Sequence, residues 1–195
     1  MALKNQEKSK TISSKLFTRI SLTALFAALI AAGTFVAIPV GPVPIVLQNL
    51  FALLSGLILG PLLGSAAVGL YLLAGILSLP VFAGASGGIA LFAGPTGGYL
   101  IGYLLAALTA GLIAGKPRSD RKTSLLRLIA AVAAGFLLVY VPGVAWLKIS
   151  MELNWAKAII AGFTPFIIGD TVKGVAAVFI APRLRRIAAD QLHST

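Results

Sequence analysis

Residues 16–38 read LFTRISLTALFAALIAAGTFVAI, an apolar run with one charge, Arg19, stopped by Pro39. A bilayer-spanning helix needs about 20 mostly apolar residues, and this run supplies them. It is too long for the apolar region of a secretory leader, and more apolar runs follow it rather than a soluble domain. It is therefore expected to stay as a membrane helix. Five further runs lie at about 45–59, 62–79, 97–114, 124–141 and 158–181. Turn residues separate them: Gly60-Pro61 after the second, Gly115, Lys116 and Pro117 after the fourth, Pro142-Gly143 after the fifth and Pro182 after the sixth. The second run is short, as a tilted, re-entrant or partly buried segment would be. The expected fold is an all-α integral membrane bundle of six transmembrane helices spanning 16–182. Basic tails flank it at 1–15 and 183–195.

Composition points the same way. The 195 residues are 58% hydrophobic and only 11% charged, with a mean hydropathy of +1.00. A soluble domain carries roughly 25% charged residues, so no water-facing surface can be built from this chain. It has no cysteine, hence no disulfide, thiolate nucleophile or cysteine metal site. Its one histidine, His193, lies in the polar tail, which removes intramembrane histidine chemistry and leaves no expected metal site.

The net charge of +11 is explained by where the bases fall. Lys4, Lys8, Lys10, Lys15 and Arg19 precede the first run. Lys116, Arg118, Arg121, Lys122 and Arg127 surround the fourth-to-fifth connection, and Arg183, Arg185 and Arg186 follow the sixth. With six crossings these groups share one side, leaving Lys148 and Lys157 on the other. That bias places both termini in the cytoplasm of a multi-pass plasma-membrane protein. Trp146 and Trp155 flank the fifth-to-sixth connection as interfacial aromatics do. No basic–aromatic module for nucleic acid is present.

Few ionisable groups remain inside the runs. Asp170 and Lys173 stand at i, i+3 on one face of the sixth. Twelve residues of continuous helix from Ala158 would carry Asp170 about 18 Å, near or past the midplane. The pair is either a self-satisfying ion pair that fixes packing or the polar floor of a ligand pocket. Proton relay is a third reading, one that lacks a chain of titratable partners. Intramembrane ionisable residues favour the functional reading, and a buried ion pair is a poor source of stability.

Two connections stand out. In the first, the prolines of PVGPVPIVLQN (39–49) fix an extended path. Gln48 and Asn49 then either cap a helix start or turn their amides into a pocket. The third connection, 79–99, is rich in glycine and aromatics and has no formal charge, as suits a lid over an apolar ligand. No Gly-Lys-Ser/Thr follows its glycines, so it is not a nucleotide loop. Small residues recur every fourth position, with Ala24, Ala28 and Ala32 on one stripe of the first helix and Ala27 and Ala31 beside it. Such stripes permit close helix approach in lipid, and the first helix suits docking by another membrane protein.

Four strings together carry a family resemblance: GPVPIVLQ at 41–48, LPVFAG…GG at 79–88, GPTGGY at 94–99 and Asp170-Thr171-Val172-Lys173. In this order, across about residues 16–185, they resemble the BioY family, the biotin-binding S components of energy-coupling-factor transporters. Ala83, Gly84 and Ala85 carry no side-chain amide where some relatives have one. The resemblance implies capture of biotin outside and its translocation with a transmembrane coupling protein and two ABC-type ATPases. The ATPases use the ATP, and this chain needs no cofactor and performs no covalent chemistry. It further implies that Asp170 accepts from the ureido N–H groups. Lys173 donates to a ligand oxygen, ureido or carboxylate, and Gln48 adds a hydrogen bond. Phe82, Phe92, Tyr99 and Tyr103 would enclose the ring beside Thr96, and Ala24, Ala28 and Ala32 would dock the coupling protein. Two other classes are weighed against it. A stand-alone proton-coupled transporter would use Asp170 as a titrating carrier. An embedded enzyme would need paired acids, a Ser-His couple or metal ligands, which the membrane runs lack.

Overall fold

The computed structural model describes residues 2–120 and 123–193, with side chains from 13 to 192. Arg121 and Lys122, together with the side chains of Lys4, Lys8, Lys10 and His193, lie outside the described residues. Helix α1 covers Ala2–Ala32, and a two-residue strand β1 (Ala37–Ile38) pairs antiparallel with β2 (Ile45–Val46), Ala37 opposite Val46. Helices α2 (Gln48–Leu59), α3 (Pro61–Ile76), α4 (Ala90–Ala93), α5 (Gly97–Ala114) and α6 (Leu125–Ser150) follow. The chain ends with α7 (Trp155–Gly162), a 3-10 turn (Thr164–Phe166) and α8 (Ile167–His193).

Among the described residues, four segments are long and apolar enough to cross a bilayer: Ser13–Ala32 within α1, α5, α6 and Trp155–Leu192. Helices α2 and α3 are shorter apolar helices. They form a tight hairpin because Gly60 takes φ 83 and Pro61 opens the next helix without needing an N–H partner. The hairpin arms touch through glycine: a Cβ on Gly64 would lie 2.5 Å from the Gly56 Cα. Lipid is as apolar as leucine, so such close backbone approach, not apolar burial, is what drives helices together here. The outward surface is apolar too, with Phe17 73%, Leu126 75%, Ile168 80% and Phe179 76% exposed. On a protein this size so much exposed hydrophobic surface belongs in contact with lipid.

Several predicted boundaries are corrected. The first helix ends at Ala32 rather than reaching residue 38, because Gly33 turns the chain and 37–38 pair with 45–46. The second begins at Gln48, its predicted first residues being β2. The fifth does not stop at Val141: α6 runs through Pro142 to Ser150. Pro142 cannot donate to Leu138, but α5 packs tightly against the helix at this point. Gly102 of α5 lies so close that a Cβ there would stand 3.0 Å from the Leu138 carbonyl oxygen.

The sixth predicted run is two helices, not one. Pro165 and the 3-10 turn interrupt it, and Asp170 falls in the first turn of α8. A depth reckoned along one unbroken helix from Ala158 therefore fails. Nor does Pro182 end the last helix. Beyond it Arg185, 3% exposed, anchors α8 by donating to the carbonyls of Leu57, Ala114, Gly115 and Lys116 and to Thr123 Oγ1.

Candidate functional site

The first and third connections fold toward each other. Pairing of β1 with β2 makes a hairpin of residues 39–44, with Gly41 at φ 142. In the third connection Phe82 and Ser86 exchange backbone hydrogen bonds of 2.9 and 3.2 Å around Gly84 and Ala85, both at positive φ. The Gly88 N–H donates to the Gly75 carbonyl at 2.7 Å, tying this loop to the end of α3. The Phe82 ring lies on Gly75 so closely that a Cβ there would overlap it. Tyr71 and Phe92 meet the same ring edge-on at 5.5 and 6.0 Å between centroids. Trp146 Nε1 donates to the Gly94 carbonyl at 3.0 Å and pins the loop's other end to α6.

Between these loops and α5 lies a cavity of about 550 Å3. Gln48, Phe82, Thr96, Tyr99 and Tyr103 all line it, with Val46, Pro42 and Leu91. Its size and mostly apolar wall with a few polar groups suit a small organic ligand. The sequence thus brought five residues to one place. Phe92 is not in the lining; it packs behind Phe82.

Asp170 and Lys173 also stand outside the lining, one layer behind it. Their ion pair is made: Lys173 Nζ donates to Asp170 Oδ1 at 2.8 Å. The ammonium's other two donors go to the Val46 carbonyl at 2.7 Å and Asn49 Oδ1 at 3.0 Å. Asn49 Nδ2 donates to Asp170 Oδ2 at 2.9 Å, and the Tyr140 hydroxyl donates to the same oxygen. Asp170 is 4% and Lys173 8% exposed, so every charge-bearing atom is paired away from solvent. Val46 is itself cavity wall, so Lys173 grips the strand that faces the ligand space. Neither Gln48 nor Asn49 caps α2.

On α1, Ala24, Ala28 and Ala32 are exposed, whereas Ala27 is buried and Ala31 half-buried against the bundle. Among the described residues no three His, Cys, Asp or Glu side chains gather as metal ligands.

A family model described as the BioY family matches residues 5–190. The chain belongs to the BioY family. It is 46% identical over 166 residues to the probable biotin transporter BioY of Pyrococcus horikoshii, covering 85% of this chain and 95% of that one. The biotin transporter BioY of Thermotoga maritima is 41% identical over 167 residues, covering 86% and 95%. A crystal structure of the S component for biotin from an ECF-type ABC transporter superposes with a TM-score of 0.78 at 32% identity, covering 93% of this chain and 94% of that one. BioY proteins are membrane transporters, not enzymes.

For this BioY chain, the sequence reading missed three parts of the polar cluster. Tyr140 looked like one aromatic in an apolar run, and the Val46 carbonyl has no side-chain signature. Asn49 stood beside Gln48 as a possible cap. An amide inside a membrane segment is costly without partners, and that cost was the available signal that Asn49 meets another polar group.

Proposed function

We propose that this chain captures biotin from outside and carries it across the plasma membrane as the S component of an energy-coupling-factor transporter. The observation that carries the reading is the cavity that brings Gln48, Phe82, Thr96, Tyr99 and Tyr103 together in a chain of the BioY family. Aromatic faces and Leu91 suit the thioether ring, while Gln48, Thr96 and the Tyr103 hydroxyl meet the ureido group and carboxylate. The Tyr99 hydroxyl donates to the Gly162 carbonyl at 2.8 Å, so Tyr99 offers the ligand its ring. Asp170 and Lys173 form the polar reserve behind the wall. When biotin enters, the residue 39–48 segment shifts and the pair exchanges internal hydrogen bonds for ligand bonds, Asp170 accepting from ureido N–H groups. Each exchanged bond nets little energy. The exchange therefore discriminates against molecules lacking those groups more than it adds affinity.

The reading takes α1, α2, α3, α5, α6 and the α7–α8 segment as six crossings, with both termini cytoplasmic by the placement of lysine and arginine. Lys148, over the Trp155 ring at 5.4 Å, then marks the outer interface. The exposed Ala24–Ala28–Ala32 stripe docks the transmembrane coupling protein, whose two ATPases supply ATP hydrolysis. Residues 80–96 close over the bound vitamin. Uptake of labelled biotin into proteoliposomes tests this. Accumulation should need the coupling protein, both ATPases and ATP. Accumulation driven by a pH gradient without them would replace this reading with proton-coupled carriage.

A further inference from the structure

The end of the bundle where α5, α6 and α8 meet holds a separate cavity of about 580 Å3, lined by Lys116, Arg118, Thr123, Ser124, Arg127 and Arg185 among others. Arg185 is spent on its carbonyl and threonine partners and forms the floor. No carboxylate is in the lining, and among the described residues none pairs with Lys116, Arg118 or Arg127. Asp120 is exposed in the same loop but does not face the cavity. Ser124 precedes α6 without a side-chain cap bond, so first-turn N–H groups keep donor capacity at the cavity's edge. Three unpaired cations and a helix start in one concavity make an anion site.

An independent feature narrows the anion. Between α6 and α8 runs an apolar groove of about 610 Å3, lined from Leu125 and Ile129 past Phe136 and Val175 to Tyr140 and Asp170. Its first residue follows Ser124 directly, and Leu125 and Ile129 are 58% and 47% exposed on the outward surface. A free phosphate has no use for such a groove. A neutral lipid has no use for the cations.

We propose that this corner binds an anionic glycerophospholipid. Lys116, Arg118, Arg127 and Ser124 hold its phosphate, and one acyl chain lies in the α6–α8 groove. The tail covers the side of Tyr140 and Asp170 that opens to the groove, keeping water from the polar cluster and strengthening its hydrogen bonds. The lipid thereby becomes part of the wall behind the ligand cavity.

Native mass spectrometry of the full chain, released from detergent after exposure to defined lipids, tests this. Dioleoyl phosphatidylglycerol should be retained roughly tenfold or more over dioleoyl phosphatidylcholine, as about two removed cations are worth near a membrane. Arg118→Gln with Arg127→Gln should erase that preference at an unchanged melting temperature. Val175→Trp, which fills the groove from an exposed position, should weaken the dioleoyl lipid but not dihexanoyl phosphatidylglycerol. Equal retention of the two dioleoyl lipids would overturn the proposal, as would a preference that survives the double substitution. Wild-type retention of inorganic phosphate or the dihexanoyl lipid as strong as that of the dioleoyl form would reduce the site to a free-phosphate pocket. Indifference to Val175→Trp would remove the tail from the groove.

Discussion

Replacing Lys173 by methionine keeps an unbranched side chain one atom shorter and removes its charge. The three donors lost are those to Val46, Asp170 and Asn49, at 2.7, 2.8 and 3.0 Å. Asp170 would remain 4% exposed with only Asn49 and Tyr140 as donors. Stranding one member of a buried ion pair costs about 3–5 kcal/mol. The Asp170→Asn change strands the ammonium similarly, although the new amide oxygen can still accept from it. Changing both residues together removes both charges, so the double variant should lose much less than the two single losses combined. A coupling energy of about 2 kcal/mol or more is expected for groups in one network. Reversible unfolding in mixed micelles, followed by circular dichroism for the wild type, both single variants and the double, measures it. Single losses that add within about 0.5 kcal/mol would refute the reasoning, since the residues would then not act as one unit.

Other outcomes follow from the same geometry. Gly75→Leu places side-chain atoms where the Phe82 ring sits, and should weaken biotin binding by tenfold or more, on the order of 1.4 kcal/mol; isothermal titration of the folded variant reads it. Ala28→Trp on the exposed α1 stripe should leave biotin binding intact and abolish ATP-driven uptake, and unchanged uptake would remove the docking claim. Arg185→Met frees the carbonyls of Leu57, Ala114, Gly115 and Lys116. It should lower stability by at least about 2 kcal/mol, since even one hydrogen bond to a charged group contributes about 1.5–3 kcal/mol, and a thermal melt in detergent detects it. Biotin amide should bind as well as biotin if Lys173 meets the ureido oxygen, and much more weakly if it meets the carboxylate.

The helical membrane architecture was legible because it rests on apolar length, which local sequence carries directly. Helix ends were less so where proline was involved. Pro142 and Pro182 read as stops, yet both helices continue, because neighbours compensate: α5 presses on one through Gly98 and Gly102, and Arg185 anchors the chain beyond the other. Pro165 does break its run, and nothing local distinguishes it from those two. Among the cavity-lining residues, Gln48, Phe82, Thr96 and Tyr99 stand in the two unusual connections, whereas Tyr103, inside α5, was named only through the family resemblance. Asn49–Asp170 and Tyr140–Asp170 join residues far apart in the chain. Long-range pairings of this kind have no local periodicity to betray them. Arg185 was hidden differently: it sat among orienting charges and looked like one of them.

The most direct test of the central claim is equilibrium binding of biotin to the detergent-purified chain, wild type beside Asp170→Asn. Tight wild-type binding is expected, with a loss of more than about 2 kcal/mol in the variant, as for truncating a buried charged hydrogen bond. An absence of wild-type binding under conditions where the chain is folded would contradict the account.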